Sequence, residues 1–317
     1  MLIPLGILAV AGALAEIRAG YFGGGINPSN VRLDTVDKFA FPVDTASTLG
    51  IGLSSTREAG AGMANSGVAG YFAGGRISGT TRVNTVDKFV FPDDTRSTLG
   101  TGLSGTRENG GAMANSGTAG YHGGGDPGGA GGANVDKFAF PADTRTTLGT
   151  GLTTAVVSVS AMANSGTAGY FGGGTDPNYL TRVDKFAFPG DTRSTLGTGL
   201  SSAKQRMGAM ANSGTAGYFG GGNTSGSGNI RTVDKFAFPS DTRTSLAFAL
   251  SSDREFLSGM ANSGTAGYFG GGSNGTTGSR IATVDKFAFP ADSISTLGTG
   301  LSGGRDRVGG MANSGTL

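Results

Sequence analysis

The sequence predicts an all-β fold: a six-bladed β-propeller of four-stranded antiparallel blades, its ring closed by a C-terminal strand joining the first blade. Three observations predict it. The first is repetition. A Tyr-Phe-Gly-Gly-Gly motif, or a near copy, begins at Tyr21, Tyr71, Tyr121, Tyr170, Tyr218 and Tyr268, at spacings of 50, 50, 49, 48 and 50. Val-Asp-Lys-Phe begins at Val36, Val86, Val135, Val183, Val233 and Val284, and Met-Ala-Asn-Ser-Gly at Met63, Met113, Met162, Met210, Met260 and Met311. A unit of about 40–50 residues rich in short β segments has the length of one propeller blade. The second observation is the β character inside each unit, and the third is where the repeats begin and end.

The unit from Gly62 divides into four strands. Gly62–Asn65 is small and apolar and forms strand a. Ser66-Gly67 makes a tight turn, because glycine tolerates positive φ. Ala69–Gly74 is strand b, and its glycines let another backbone come close. Arg76–Asn84 is a polar loop. Thr85–Phe91 is strand c, with β-branched and aromatic residues in strand proportion. Pro92-Asp93-Asp94 breaks it and turns the chain. Arg96–Leu103 is read as strand d. No ten-residue stretch of the repeats carries a 3.6-residue apolar period, so no helix is expected there.

The repeats begin at a strand b, Ala19–Gly24, and stop just after a strand a, Gly310–Asn313. The last strand a is therefore expected to complete the first blade and remove an unpaired seam. Strand a is expected to line the central channel, where only Gly, Ala and Met fit. Residues 19–317 form the propeller and residues 1–18 a separate apolar tail.

Composition narrows the function. Gly is 62 of 317 residues, nearly three times the usual share. There is no Cys, no Trp and one histidine, His122. The 24 basic and 22 acidic residues are interspersed, net +2, so no basic footprint for nucleic acid is expected. Without Cys there is neither a disulfide nor a thiolate metal site. With a single His, a Ser-His-Asp triad would have to use His122, which stands where the other motifs carry Phe. A zinc site fails for want of ligands. The Asp residues recur in every unit: Asp37, Asp87, Asp136, Asp184, Asp234 and Asp285 in one set, Asp44, Asp94, Asp143, Asp191, Asp241 and Asp292 in another. A unique active site is not copied six times, so these are read as turn caps and partners of nearby Lys or Arg. The Gly-Gly-Gly segments are not phosphate loops, because no Gly-Lys-Ser/Thr and no helix follows. No catalytic residues, metal or cofactor are expected.

The unit resembles the kelch repeat. The resemblance rests on Tyr-Phe-Gly-Gly-Gly at the end of strand b, an apolar strand c, and an Arg before strand a (Arg57, Arg107, Arg254, Arg305). It covers about residues 16–317. The usual Trp of strand d is absent; Leu49, Leu99, Leu148, Leu196, Leu246 and Leu297 stand near its place. The resemblance implies a propeller and no particular activity. Copper-oxidase chemistry of some kelch-type propellers is excluded by the missing Cys and His ligands.

The run Leu2–Ala15 is 14 apolar residues, too short to span a bilayer comfortably. Ala13-Leu14-Ala15 resembles a signal-cleavage site, but no Lys or Arg precedes it. The opening Met-Leu-Ile-Pro-Leu-Gly-Ile-Leu-Ala resembles the N-termini of bacteriophage tail and virion structural proteins. The repeat itself is similar to kelch-like propellers of phage and cyanobacterial origin. These resemblances imply a virion protein anchored among its neighbours by Leu2, Ile3, Leu5, Ile7 and Leu8, with no membrane span.

Variation among the six copies locates a contact surface. The a–b and c–d turns are nearly constant, whereas the b–c loops (26–35, 76–85, 126–134, 175–182, 223–232, 273–283) and the d–a loops differ. In an antiparallel blade those two variable connections emerge at the same end. Loops on a rigid scaffold carry binding. Phe256, Leu257, Val156, Val157, Lys204, Arg206 and Tyr179 are the candidate contact residues there. The expected function is a non-enzymatic structural or binding propeller of a phage tail or fibre. Its partners would be other virion proteins through the tail and a host-surface glycan or protein through the loops. The alternative is a secreted or cell-surface bacterial adhesion or carbohydrate-binding propeller. A sugar-active enzyme on a propeller scaffold ranks below both.

Overall fold

The computed structural model describes residues 18–246 and 249–314. The anchor candidates Leu2, Ile3, Leu5, Ile7 and Leu8 lie outside the described residues. The described residues form an all-β chain without helices. It contains six four-stranded antiparallel sheets in a propeller-like arrangement. Sheets are numbered here by their strand b.

Sheet 2 is representative. Ala61–Asn65, Ala69–Ala73, Val86–Val90 and Thr95–Thr98 are its strands a to d in spatial order. Met63 faces Tyr71, Tyr71 faces Lys88, and Lys88 faces Ser97. Sheet 1 is assembled from both ends of the chain. Gly309–Asn313 pairs antiparallel with Ala19–Gly23, placing Met311 opposite Tyr21. Strand b is buried along its whole length in every sheet, because other sheets cover both of its faces.

Strand d is shorter than the sequence suggests. It ends at Thr98, because the Gly-Thr-Gly that follows carries the chain inward. A side chain on Gly102 would collide with the Asn84 carbonyl. The inward step buries Leu103 at 3% exposure, with its amide donating to Asn84 O at 2.8 Å. The b–c loops also hold more order than expected. Arg76–Ser78 pairs with Thr81–Arg82, and Asn223–Thr224 pairs with Gly228–Asn229.

Neighbouring sheets are joined by one repeated device. Tyr71 Oη of strand b donates to Asp143 Oδ1 in the c–d turn of the next sheet at 2.7 Å. Lys88 of strand c reaches the other oxygen of that carboxylate at 2.6 Å and lies over the Tyr71 ring. Phe140, just before the turn, stacks on Tyr71 with centroids 5.3 Å apart. The same triad recurs between each sheet and its successor, and Tyr268 and Lys286 of sheet 6 close on Asp44 of sheet 1. Met311 of strand a reaches across to Gly70 of sheet 2, where any Cβ would overlap its sulphur. Each strand a packs on the strand a before and after it. Gly309–Asn313 accordingly touches both Ser258–Asn262 and Ala61–Asn65.

His122 breaks the pattern in sheet 3. Phe72 and its equivalents meet a strand-c Phe edge-to-face, for example Phe89 at 5.8 Å. His122 sits in the same place at 1% exposure, and its Nδ1 has no hydrogen-bond partner among the described residues. Burial first, and Arg107 second, push its pKa down to about 3. The unfolded chain therefore binds a proton that the folded one refuses, in the window between the ordinary value and about 3. The penalty is absent near pH 7, grows as pH falls through about 6.5, and is complete below about 3. His122→Phe is expected to stabilise the fold by about 1–2 kcal/mol at pH 7, since an orphaned buried polar group is removed. It should gain more at pH 5. Urea midpoints at the two pH values check this, and an equal or lower midpoint for the variant would show that the site prefers the imidazole.

Candidate functional site: the axial mouth

All twelve repeated aspartates are engaged within the fold. Asp87 takes Arg57 Nη2 at 2.6 Å, Thr98 Oγ1 at 2.7 Å, and Ser54 N and Oγ at 2.8 and 2.9 Å. Arg305 serves Asp37, Arg107 serves Asp136 and Arg254 serves Asp285 in the same way. Lys204 replaces the arginine beside Asp234. Asp44 and its equivalents hold the Tyr–Lys pairs described above. Among the described residues, no group of three or more His, Asp and Glu side chains is placed to hold a metal ion.

This geometry corrects part of the sequence reading. Val156, Leu257 and Lys204 are not on an exposed surface. Lys204 is 0% exposed, and Val156 at 2% stands at the position in phase with Arg57 and Lys204. The d–a loop folds back under strand b of the next unit, so this position is interior in every copy. Leu257 is 4% exposed and packs against Gly221 and Gly272. Val157 is half-buried and its amide donates to Thr175 O. Tyr179 is half-buried, donating to Asn223 Oδ1 at 3.0 Å. Leu257 lies in the wall of the cavity described below, while Val156, Val157, Lys204 and Tyr179 do not reach it. Arg206 and Phe256 do.

Arg206 and Phe256 belong to a set of six in-phase residues, each two positions before its strand a: Ala59, Asn109, Ser158, Arg206, Phe256 and Arg307. Their backbones are tied together by hydrogen bonds. Asn109 N donates to Ala59 O, Ser158 N to Asn109 O, Arg206 N to Ser158 O and Phe256 N to Arg206 O. Arg307 N donates to Phe256 O and Ala59 N to Arg307 O, so the chain of six bonds returns to its start. The six residues surround the opening of a cavity of about 100 Å³, walled by the small residues of the six strands a.

The backbone at this position lies in the left-handed region, with φ between 55 and 59° in all six copies. Glycine adopts that region freely and asparagine tolerates it, while Ala, Ser, Arg and Phe are strained there by roughly 1–2 kcal/mol each. In a chain with 62 glycines, none of the six copies places one here.

The mouth is lopsided. Arg206 and Arg307 both extend over the ring of Phe256, with guanidinium carbons 4.4 and 4.0 Å from its centroid. Ala59, Asn109 and Ser158 face them with short side chains. Charge is gathered around this rim. Arg206 pairs with Glu255 at 2.9 Å, while Glu58 is shared by Arg32, Arg76 and Arg307. Glu108 takes Arg76 and Arg82, Arg82 reaches Asp126, and Asp306 takes Arg280 and Arg307. Burial raises the Glu58 carboxyl, but Arg76, Arg307 and Arg32 outweigh it and hold the pKa low. Burial wins at Glu108 and Asp306, whose pKa values are raised. In the Glu58-to-Asp306 network, five arginines meet four carboxylates, leaving one net positive charge.

The opposite end is built differently. Gly67 N donates to Asn313 Oδ1, Gly117 N to Asn65 Oδ1 and Gly166 N to Asn115 Oδ1. Ser66 N donates to Ser116 Oγ, and the Ser116 and Ser165 amides do likewise to the next serine. Those turns are constant because their Asn and Ser side chains tie neighbouring sheets together. At the mouth the ring of six bonds is made by backbone atoms, so it places no requirement on the six side chains, although Arg206 and Arg307 add ion pairs across the rim. The sequence reading missed Ala59, Asn109, Ser158 and Arg307. Their signal was available as a single in-phase column of five residue types beside the near-constant Arg.

The chain matches no protein-family model, and no curated protein is similar enough to count as a relative.

Proposed function

We propose that the chain is a closed six-bladed propeller acting as a non-enzymatic binding module, and that its partner contacts the end bearing the axial mouth. Closure is supported by the pairing of Gly309–Asn313 with Ala19–Gly23, by the return of the Tyr–Lys–Asp device from sheet 6 to sheet 1, and by the cyclic backbone bonds. The observation that carries the binding reading is the set of strained, varied, non-glycine residues on a ring whose hydrogen bonds make no demand on their side chains. Strain kept where glycine would relieve it points to a use for the side chain. The virion setting rests on the resemblance of the opening residues, and the kelch relationship on the repeat motifs.

The test is adhesion of the labelled full-length chain to a panel of intact bacterial cells. A variant carrying Arg206→Ser, Phe256→Ser and Arg307→Ser should keep its melting temperature within a few degrees. It should lose cell binding at least tenfold, because buried aromatic and Arg anchors dominate interface energy. A variant carrying Thr118→Glu, Thr167→Glu and Thr215→Glu, all exposed at the opposite end, should bind as before. The reverse pattern overturns the assignment of the working end.

A further inference from the structure

We propose that the axial mouth is a binding site for a single carboxylate-bearing sugar residue, such as a uronic acid, entering between the arginine side and the short-side-chain side. The proposal rests on the reading that the mouth end is the contact end, and it names the ligand class.

Two guanidinium groups, from Arg206 and Arg307, share one Phe256 ring at the edge of the cavity. Stacking on an aromatic face orients a guanidinium and leaves its N–H edge for planar, bidentate partners such as carboxylate. Their side chains remain 33% and 22% exposed, so both can be reached from solvent. Of the five N–H donors of Arg206, the pair with Glu255 engages Nη1. Arg307 shares its two carboxylates, at 3.4 Å each, with the arginines that hold them more closely. The arginine side therefore has unused donors and a net positive surrounding, which suits one added negative charge.

The rest of the mouth selects what carries that charge. Ala59, Asn109 and Ser158 leave open the side facing the arginines and present an amide and a hydroxyl. Beneath them the innermost strands turn an unpaired edge toward the cavity, since each strand a pairs with strand b alone. Such an edge supplies backbone N–H and C=O groups suited to ligand hydroxyls. Both neighbours of Phe256 already cover its ring, so an aromatic or long aliphatic ligand has no apolar platform. A cavity of about 100 Å³ is too small for a folded segment or for a whole sugar ring, so the ring lies across the mouth and only its edge enters. A hydroxylated ring with one carboxylate meets these conditions, while an acidic peptide side chain would leave the Asn109 and Ser158 side unused.

The probes are methyl glucuronoside, methyl glucoside as its neutral counterpart, and a blocked Gly-Glu-Gly tripeptide, each titrated into the full-length chain by NMR or calorimetry. The glucuronoside is expected to bind at least tenfold more tightly than either of the others. Arg307→Gln should weaken it at least tenfold. Ser158→Asp should do the same while leaving both arginines in place, since Asp tolerates the left-handed backbone and sets a competing carboxylate across the opening. It also serves if Arg307→Gln fails to fold. Equal affinity for the two sugars, preference for the tripeptide, or no binding of the glucuronoside at tens of millimolar overturns the proposal. Failure here, with the triple mouth variant still losing cell binding, would remove the ligand class and leave the working end in place.

Discussion

Deletion of Gly309–Leu317 is expected to lower the melting temperature by more than about 10 °C and to make the protein associate. Ala19–Gly23 would lose its strand-a partner and expose five residues of unpaired edge. Met311, 3% exposed and lodged over Gly70, would leave a cavity between sheets 1 and 2. Emptying one such site costs about 2–5 kcal/mol, before any lost ladder bonds are counted. For a domain of this size each kcal/mol moves the midpoint by roughly 1.5–2 °C, so the drop needs the lost ladder bonds as well as the emptied site. The free edge is a template for pairing with a second chain, so the deleted protein should dimerise or aggregate as it warms. Calorimetry with light scattering reads both effects. An unchanged midpoint in a monomeric truncated protein would show that the first and last strands are not the seam that holds the sheets together.

The second large effect concerns the buried ion pairs. Arg254 and Asp285 are both 0% exposed and 2.7 Å apart. Arg254→Val removes the cation and leaves the carboxylate in the interior, which should cost about 3–5 kcal/mol. Sheet 4 shows how the chain can manage without that cation. There Val156 occupies the arginine's place, and Asp184 accepts Thr153 Oγ1 at 2.7 Å and Thr195 Oγ1 at 2.8 Å. Arg182 also approaches Asp184, with Nε 3.7 Å from Oδ1. Thr283 is the residue of sheet 6 in phase with Arg182. Arg254→Val combined with Thr283→Arg should therefore recover about half of the loss. Urea midpoints of the two single variants and the double variant, at constant m, measure the coupling. A double variant no more stable than Arg254→Val alone would mean that the sheet 4 arrangement depends on its own loop and does not transfer.

Strands a, b and c were legible in the sequence to within a residue or two. Their signals are local: a small-residue run, the Tyr-Phe-Gly-Gly-Gly ending and the Val-Asp-Lys-Phe core repeat in phase. Strand d was overread because Leu99 and Leu103 look like continuing strand residues. They are apolar because the chain steps inward there, a fact set by the Asn84 carbonyl of another loop. The d–a loops were misread for a related reason. Apolar Val156 and Leu257 suggested a sticky surface, but a loop that doubles back beneath strand b makes the same residues interior. Phase alone would have warned of this, since Val156 and Lys204 stand in the column of the arginines. Arg206 and Phe256 were singled out for their side chains. Neither their company with Ala59, Asn109, Ser158 and Arg307 nor the positive φ they share can be read from one copy.

The sequence by itself determined the number of units, their strand content, the strand-a match for the first sheet, and which end of each sheet varies. Those properties follow from periodicity and turn chemistry, which act within one repeat. Only the tertiary structure decided which variable residues meet. Six positions about 50 residues apart come together because inter-sheet Tyr–Lys–Asp ties and backbone bonds set one sheet against the next. At the constant end the ties run through Asn and Ser side chains, so the sequence there cannot change without loosening the assembly. The six bonds of the mouth ring run through backbone amides and carbonyls, which every residue carries, and that is why the side chains on the ring can vary.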